Sequence, residues 1–252
     1  MAKLIAVTGK GGTGKTTTAA LMIRHLCAHT AGPVLALDAD PDANLGTVLA
    51  IPVEKTIGDL REETAEQINN LPAGLSKAHY IQAGLHQIIV ELPKVDLITM
   101  GRSEGPGCYC YLNSLLRRFG EDLHDTYPWI VVDNEAGLEH LSRRTTSRID
   151  HLIVVVNGSM LAVDCARRIT ELVADMKNEV KQKHFLINGV RDDRVAAIRQ
   201  KLESFGLNNL GSLPRDEVLE TQVFEGKSLF DLDDGSPAVL KMNEIMKKLM
   251  ED

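Results

Sequence analysis

Runs of apolar residues along this chain alternate with stretches of helical pattern. Six short β-rich runs, most of them continuously apolar, predict strands that are covered on both faces. They are residues 3–9, 33–38, 95–101, 129–134, 151–157 and 184–190. Helical patterns such as TTTAALMIRHLCAH and AVDCARRITELVADMKNEV lie between them. The alternation predicts an α/β fold, a doubly wound, mostly parallel sheet with helices on both faces.

The stretch at about residues 50–94 interrupts this alternation. It holds two helical patterns broken by NNLPAG and lacks a clear strand. Hydrophobic residues make up 44% of the 252 residues, which is enough for one sizeable core. We therefore predict a single domain over residues 1–252 with a helical insertion at about 50–94.

Charge and hydropathy narrow the range of partners. The formal net charge of −7 argues against non-specific binding to nucleic acid or to an anionic membrane surface. No run reaches the roughly 20 apolar residues of a membrane-spanning helix. The opening MAKLIAVTGKGG leads into a glycine loop and is interpreted as a strand rather than a signal peptide. We expect a cytoplasmic protein with reduced thiols and no nucleic-acid or membrane partner.

The segment GKGGTGKT, which follows the first strand and opens a helix, fits the phosphate-loop pattern G-x-x-x-x-G-K-[ST]. Its backbone N–H groups and the helix N-terminus are suited to binding the phosphates of ATP or ADP. Lys15 is expected to reach the β- and γ-phosphates, Thr16 to ligate Mg²⁺, and Thr17 to contact the α-phosphate. The predicted nucleotide-binding set here is Gly9, Lys10, Gly11, Gly12, Thr13, Gly14, Lys15, Thr16 and Thr17.

Two of the four cysteines, Cys108 and Cys110, stand together in GPGCYCYLN. A disulfide across one residue would be strained, whereas a loop running into a helix favours thiolates that bind soft or borderline metals. Simple packing is the remaining interpretation of this pair. Cys27 and Cys165 lie inside helical patterns and are predicted to be buried small hydrophobes.

The phosphate loop carries a second lysine, Lys10, directly after its first glycine. In this respect it resembles the deviant Walker A loop of the family that contains MinD, ParA, the arsenite-pump ATPase and nitrogenase iron protein. The resemblance implies a Mg²⁺-dependent ATPase that dimerises around ATP. It also implies that Lys10 reaches the partner's nucleotide and stabilises charge on the transferred phosphoryl group.

Two further segments are similar to the same family. LALDADPDANL matches a D-x-D-P segment, which implies that Asp40 orients or deprotonates the attacking water while Asp38 supports Mg²⁺ or the loop. In WIVVDNEAGLEHL, the resemblance makes Asp133 the Walker B carboxylate on a Mg²⁺-bound water and places the Gly137 N–H at the γ-phosphate. Many relatives read D-T-P-A-G where this chain reads DNEAG, so Asn134 and Glu135 receive no role from the comparison.

Adenine contacts are also implied by the resemblance. Asn188, at the end of HFLIN, and Pro214, in LPRDE, match positions at which relatives contact the base. An amide can pair with the adenine edge while a proline packs on the ring.

The C-x-C loop, combined with DNEAGLEHLSRRT, makes the chain most similar to the CooC-type ATPases that insert nickel into carbon monoxide dehydrogenase. This implies a homodimer, formed with ATP or metal, in which Cys108 and Cys110 of two chains supply four thiolates to one Ni²⁺ or Zn²⁺. Carbon monoxide dehydrogenase is then the expected client. The alternative is an iron–sulfur carrier or electron-transfer ATPase similar to nitrogenase iron protein.

Overall fold

The computed structural model describes residues 2–67, 77–102, 126–135, 148–175 and 179–251. The strands are β1 (Lys3–Gly9), β2 (Val34–Ala39), β3 (Val90–Glu91), β4 (Val95–Thr99), β5 (Trp129–Asn134), β6 (Arg148–Val156), β7 (Glu179–Asn188) and β8 (Asn208–Leu213). The α-helices are α1 (Lys15–His29), α2 (Asn44–Leu49), α3 (Ile57–Gln67), α4 (Lys77–Gln87), α5 (Met160–Asp175), α6 (Asp192–Ser204), α7 (Glu217–Phe224) and α8 (Pro237–Glu251), with a 3₁₀ turn at Leu229–Asp231.

Across the described residues, these strands form one sheet in the order β3-β4-β2-β5-β1-β6-β7-β8. Neighbouring strands are parallel, except that β3 runs antiparallel to β4. β1 lies between β5 and β6, so the chain builds outward from it on both sides. Open sheets of this kind bind ligands beyond the carboxyl ends of their strands, where the strand order reverses. The predicted doubly wound, mostly parallel sheet is confirmed.

Two layers of helices cover the sheet. Successive side chains of a strand point to opposite faces. Accordingly, Leu4 and Ala6 of β1 belong to one hydrophobic cluster with residues of α3 to α6. Ile5 and Val7 belong to a second cluster with residues of α1, α2 and α8. Burial on both faces explains why the central strands are continuously apolar.

At the edge of the sheet formed by β7 and β8, the observed strands differ from the predicted ones. β7 begins at Glu179 rather than at residue 184, and β8 was not predicted from the sequence NNLGSL. β8 pairs with β7 only from His184 onward, so residues 179–183 have a ladder partner on the β6 side alone. Strand segments with one open side tolerate polar residues, and the apolar-run criterion therefore misses them.

The stretch at about 50–94 contains α3 and α4 and ends at the two-residue strand β3, which the sequence reading did not include. The two helices approach closely: a Cβ added at Gly84 would lie 2.2 Å from Leu60 Cδ1. The description of this stretch as an insertion within a single domain stays a prediction. None of the described helices has the length and apolar character needed to cross a bilayer.

Candidate nucleotide site

The phosphate loop leaves the carboxyl end of β1 and leads directly into α1. Two of its glycines are required by close approaches of other groups. A Cβ at Gly9, whose φ is +146°, would lie 2.4 Å from the Val155 carbonyl oxygen of β6. A Cβ at Gly14, whose φ is +88°, would lie 2.2 Å from Asn188 Nδ2. Gly9 meets fixed backbone, and Gly14 adopts a left-handed backbone conformation, so glycine is favoured at both positions and the loop can follow a tight path across the strand ends.

Hydrogen bonds close the first half of the loop on itself. Thr13 is buried, its Oγ1 donates to the Lys10 carbonyl at 2.8 Å, and its N–H donates to the same carbonyl at 3.3 Å. Lys10 itself is partly exposed, whereas Lys15 keeps only 7% of its surface accessible. Lys15, expected at the phosphates of its own chain, and Lys10, which the family resemblance places at the partner's nucleotide, therefore differ in exposure.

Two buried aspartates lie behind the loop on adjacent strands. Asp38 of β2 and Asp133 of β5 are register partners, and both are fully buried. Asp38 accepts hydrogen bonds from the N–H groups of Leu45 (2.9 Å) and Asp40 (3.2 Å). Neither carboxylate oxygen of Asp133 has a hydrogen-bond partner among the described residues. A buried carboxylate in this state is available to bind a further group.

The electrostatics of the pair reflect this difference in hydrogen bonding. Burial raises the pKa of Asp133 to about 7, and the charges of Asp38 and Asp40 also act to raise it. The Thr16 side chain and the Lys15 ammonium act to lower this pKa, although Thr16 does not reach hydrogen-bonding geometry. Burial likewise raises the pKa of Asp38 to about 6, against its backbone hydrogen bonds. Two neighbouring acids that resist ionisation form a site that a cation would stabilise.

These residues fit a magnesium ion. Mg²⁺ prefers oxygen ligands and is usually bound through one or two carboxylates together with substrate phosphates. Asp133 supplies two unpartnered carboxylate oxygens and Thr16 a hydroxyl at the start of α1. With Mg²⁺ bound, the ion would offset phosphate charge, while Asp133 and Thr16 would hold it or its waters.

A cavity of about 630 Å³ opens over the phosphate loop. Asp40 lies in its wall, in a turn where its Oδ1 accepts from the Asp42 N–H at 3.0 Å. The structure therefore brings Asp40 to the cavity that the phosphate loop lines, as a water-activating role requires, although that role stays a prediction. The described lining residues are Gly11, Gly12, Gly14, Lys15, Thr16, Thr17, Asp40, Asp42, Asn44, Thr47, Val48, Glu135, Val223, Gly226 and Lys227.

Part of this wall was missed by the sequence analysis. Val223 lies in the last turn of α7, and Gly226 and Lys227 lie just beyond the end of this helix. Asp216 caps the start of the helix, and a capping aspartate can be identified in the sequence. Asp216 Oδ1 accepts from two N–H groups of the first turn at 3.0 and 3.2 Å. The helix was thus visible as a pattern, but its position over the phosphate loop depends on tertiary packing.

The two positions with expected adenine contacts lie side by side at the same edge of the sheet. Asn188 ends β7 and is the register partner of Leu213, the last residue of β8 and the neighbour of Pro214. Pro214 is exposed. Asn188 Nδ2 donates to the Thr13 carbonyl of the phosphate loop at 2.9 Å. The base-contacting roles of both residues stay predictions.

Comparisons with known proteins agree with this geometry. The profile described as CbiA, the CobQ/CobB/MinD/ParA nucleotide binding domain, matches residues 4–230. The chain belongs to this family. An uncharacterized ATP-binding protein of Methanocaldococcus jannaschii is 38% identical over 249 residues, covering 98% of each chain. The carbon monoxide dehydrogenase accessory protein CooC of Rhodospirillum rubrum is 30% identical over 260 residues, covering 98% of this chain and 96% of that protein.

A solved structure shows the same fold. The ParA family ATPase of Chlorobium tepidum TLS superposes with a TM-score of 0.73 and 17% identity, covering 97% of this chain and 98% of that one. Together with the phosphate loop, the family assignment makes the protein a P-loop ATPase that uses ATP and Mg²⁺.

In this CbiA/MinD/ParA-family chain, the structure explains why asparagine stands at position 134, the second residue of the divergent DNEAG segment. Asn134 is 2% exposed, and its Nδ2 donates to the carbonyls of Val7 (3.0 Å) and Val132 (3.4 Å). It thereby ties β5 to β1 just before the phosphate loop begins. Glu135 lines the cavity. Gly137 lies outside the described residues, so its predicted γ-phosphate contact is not addressed.

Two of the four cysteines lie among the described residues. Cys108 and Cys110 lie outside the described residues. Cys27 and Cys165 are free thiols, half-buried rather than fully buried, and pack against the two hydrophobic clusters. Burial raises the pKa of Cys27 to about 11 and also raises that of Cys165. Among the residues that the structure describes, no cluster of three metal-ligating side chains occurs.

Proposed function

We propose that this ATPase is a metallochaperone of the CooC type, which assists nickel insertion into carbon monoxide dehydrogenase. The observation that carries the proposal is the pair Cys108 and Cys110, two thiols one residue apart in a chain with four cysteines. Similarity to CooC of Rhodospirillum rubrum along 98% of this chain supports it. Ni²⁺ or Zn²⁺ would be cargo rather than a resident cofactor.

The number of thiols implies a shared site. Two thiolates do not complete a tetrahedral or square-planar coordination sphere, whereas two chains related by a two-fold axis supply four. The proposal is therefore a homodimer that holds one metal ion between its C-x-C loops. Cys27 and Cys165 take no part, because both pack against the hydrophobic clusters.

ATP hydrolysis would control the release of the cargo. In this proposal Lys15 binds the phosphates and Thr16 and Asp133 hold Mg²⁺ in one chain. Lys15, Thr16 and Asp40 line the same cavity, and Asp133 is buried behind the phosphate loop, which supports these roles. Lys10 is partly exposed, as a residue that reaches the partner's nucleotide must be. Loss of the γ-phosphate would weaken the contacts between the two chains and so alter how the metal is held.

Metal content per chain tests this function. The protein is loaded anaerobically with Ni²⁺ or Zn²⁺, freed of excess metal, and measured by elemental mass spectrometry together with its mass in solution. We expect one metal ion per two chains in the native protein and in Cys27→Ala/Cys165→Ala. Cys108→Ala/Cys110→Ala should lose the metal and retain ATP binding. One metal per chain that survives loss of Cys110 would exclude the shared site.

The alternative function uses the same cysteines differently. Four thiolates at a two-fold axis can also hold an iron–sulfur cluster, as expected of a carrier similar to nitrogenase iron protein. Visible absorption of the anaerobically purified protein separates the two cases, since a cluster is brown and a Zn²⁺ or Ni²⁺ site lacks that spectrum. A cysteine-dependent brown chromophore would favour the carrier over the nickel chaperone.

A further inference from the structure

The side chain of Asn188 is in direct contact with the phosphate loop. Its Nδ2 donates to the Thr13 carbonyl at 2.9 Å, and the same nitrogen occupies the space that a Cβ at Gly14 would need. The contact joins residues 175 positions apart in sequence. The carboxamide therefore packs on the loop backbone where the loop turns into α1.

Asn188 is itself held in place from the other side. Its Cα is paired with Leu213 of β8, and the N–H of the next residue, Gly189, donates to the Leu213 carbonyl at 3.1 Å. Gly189 has a φ of +63°, so the chain turns away immediately after Asn188. The side chain therefore projects from a strand end that is hydrogen-bonded to β8.

The loop thus spans the end of β6 between two supports. At its start, Gly9 lies against the Val155 carbonyl of β6. In its middle, Thr13 folds back on Lys10 through two hydrogen bonds. On the β7 side, Asn188 donates a hydrogen bond to the carbonyl of the same Thr13. Backbone N–H groups bind phosphate well only when they converge on it, and a fixed loop needs no reorganisation on binding.

We propose that Asn188 is a positioning residue of the phosphate loop, which holds Thr13 and Gly14 so that the loop binds phosphates whether or not a base is present. This role is distinct from the adenine contact implied by the family resemblance. Removing the hydrogen bond would weaken binding of any polyphosphate, because the carbonyl of Thr13 would lose the donor that fixes it.

A ligand without a base separates the two roles. Binding of Mg²⁺-tripolyphosphate and of Mg²⁺-ATP is measured by calorimetry for the native protein, Asn188→Asp and Asn188→Ala. Asparagine and aspartate have the same shape, but an ionised carboxylate cannot donate to the Thr13 carbonyl. We expect tripolyphosphate affinity to fall about five- to tenfold in Asn188→Ala, the value of one hydrogen bond, and at least tenfold in Asn188→Asp.

Asn157→Asp is the matched control. Asn157 follows β6 at the same edge of the sheet, and its Oδ1 accepts from the Ser159 N–H at 3.1 Å, a bond that aspartate retains. The Asn157→Asp substitution introduces the same charge as Asn188→Asp but removes no hydrogen bond to the Thr13 carbonyl. The affinity of this control for tripolyphosphate should stay within about twofold of the native value. Thermal unfolding of each variant shows that it is folded; if Asn188→Asp is not, Asn188→Ala carries the same test.

Two results would overturn the proposal. If the Asn188 variants lose ATP affinity but bind tripolyphosphate as tightly as the native protein, Asn188 contacts only the base. If Asn157→Asp weakens tripolyphosphate as much as Asn188→Asp and Asn188→Ala has no effect, the loss is a general effect of negative charge.

Discussion

A buried aspartate at the carboxyl end of the central strands and another at their amino end differ in their hydrogen bonds and in their pKa. At the carboxyl end, Asp133 of β5 is fully buried with no hydrogen-bond partner among the described residues, and burial raises its pKa to about 7. At the amino end, Asp150 of β6 is 7% exposed and accepts from the Leu4 N–H at 2.9 Å. Lys181 and Arg148 also contact Asp150, at 2.9 and 3.3 Å.

The contrast separates a group that stabilises the fold from one that serves a ligand. Burial acts to raise the pKa of Asp150, but the bond from Lys181, the Leu4 N–H and the charges of Lys181 and Arg148 together lower it. Asp150 is satisfied within the chain, whereas Asp133 is left for a cation that arrives with ATP. An uncompensated buried acid next to a phosphate loop is thus a mark of function rather than of stability.

The largest expected effect is a loss of ATP hydrolysis when a lysine is removed at the carboxyl end of the strands, compared with a small loss of stability when one is removed at the amino end. Lys10→Ala should still bind ATP, because Lys15 and the loop N–H groups remain, but should hydrolyse it about 10³-fold more slowly, since a charge-stabilising cation is lost. Lys181→Ala should hydrolyse ATP normally and lose about 0.5 to 1 kcal/mol in its free energy of unfolding. Steady-state hydrolysis and urea unfolding measure both. Near-normal turnover in Lys10→Ala would remove the assigned mechanism.

The next effect has opposite signs at the two aspartates. Without nucleotide at pH 8, Asp133→Asn should raise the free energy of unfolding by on the order of 2 kcal/mol, because a buried charge that accepts no hydrogen bond among the described residues is removed. Asp150→Asn should lower it by about 1 kcal/mol, because two ion pairs are weakened. Urea denaturation with the same substitution at both sites makes the comparison direct. A loss of stability in both variants would contradict it.

A further comparison uses the pH dependence of stability in the nucleotide-free protein. The folded pKa values of Asp133 (about 7) and Asp38 (about 6) lie above the unfolded value of about 3.9, so the stability linked to their protonated forms is lost as pH rises from about 4 to 7. Asp150 has a lowered folded pKa, and its contribution is present above about pH 4 and lost as pH falls through the folded pKa.

Urea unfolding at pH 5, 6, 7 and 8 measures this dependence. The free energy of unfolding should decline less steeply over this range in Asp133→Asn than in the native protein, and should keep the native slope in Asp150→Asn. Equal slopes in all three proteins would show that Asp133 does not titrate as its burial implies.

The sequence allowed some of these features to be predicted and not others. GKGGTGKT gave the position of the phosphate loop, and the continuous apolar runs gave the central strands, because both patterns are local. The polar strand β8 and the wall at Val223, Gly226 and Lys227 were missed, since they depend on what packs beside them.

Hydrogen bonds between residues far apart in the sequence could not be predicted from it either. Asn188 was expected at the base, but its bond to the Thr13 carbonyl follows only from the strand order that brings β7 beside β6. The same holds for Asp133 and Asp150, which look alike in sequence. Asp150 accepts a hydrogen bond from the Leu4 N–H and contacts Lys181 and Arg148, whereas among the described residues the oxygens of Asp133 accept no hydrogen bond, although Lys15 is near enough to lower its pKa.

Proton release on nucleotide binding tests most directly whether Asp133 is the acid that the bound cation ionises. Calorimetry of Mg²⁺-ADP binding at pH 6.5, in buffers of different ionisation enthalpy, counts the protons released. Since the pKa of Asp133 is about 7, the native protein should release about 0.5 to 1 proton more than Asp133→Asn, and the difference should vanish near pH 8.5. Equal proton release by the two proteins at pH 6.5 would contradict the account.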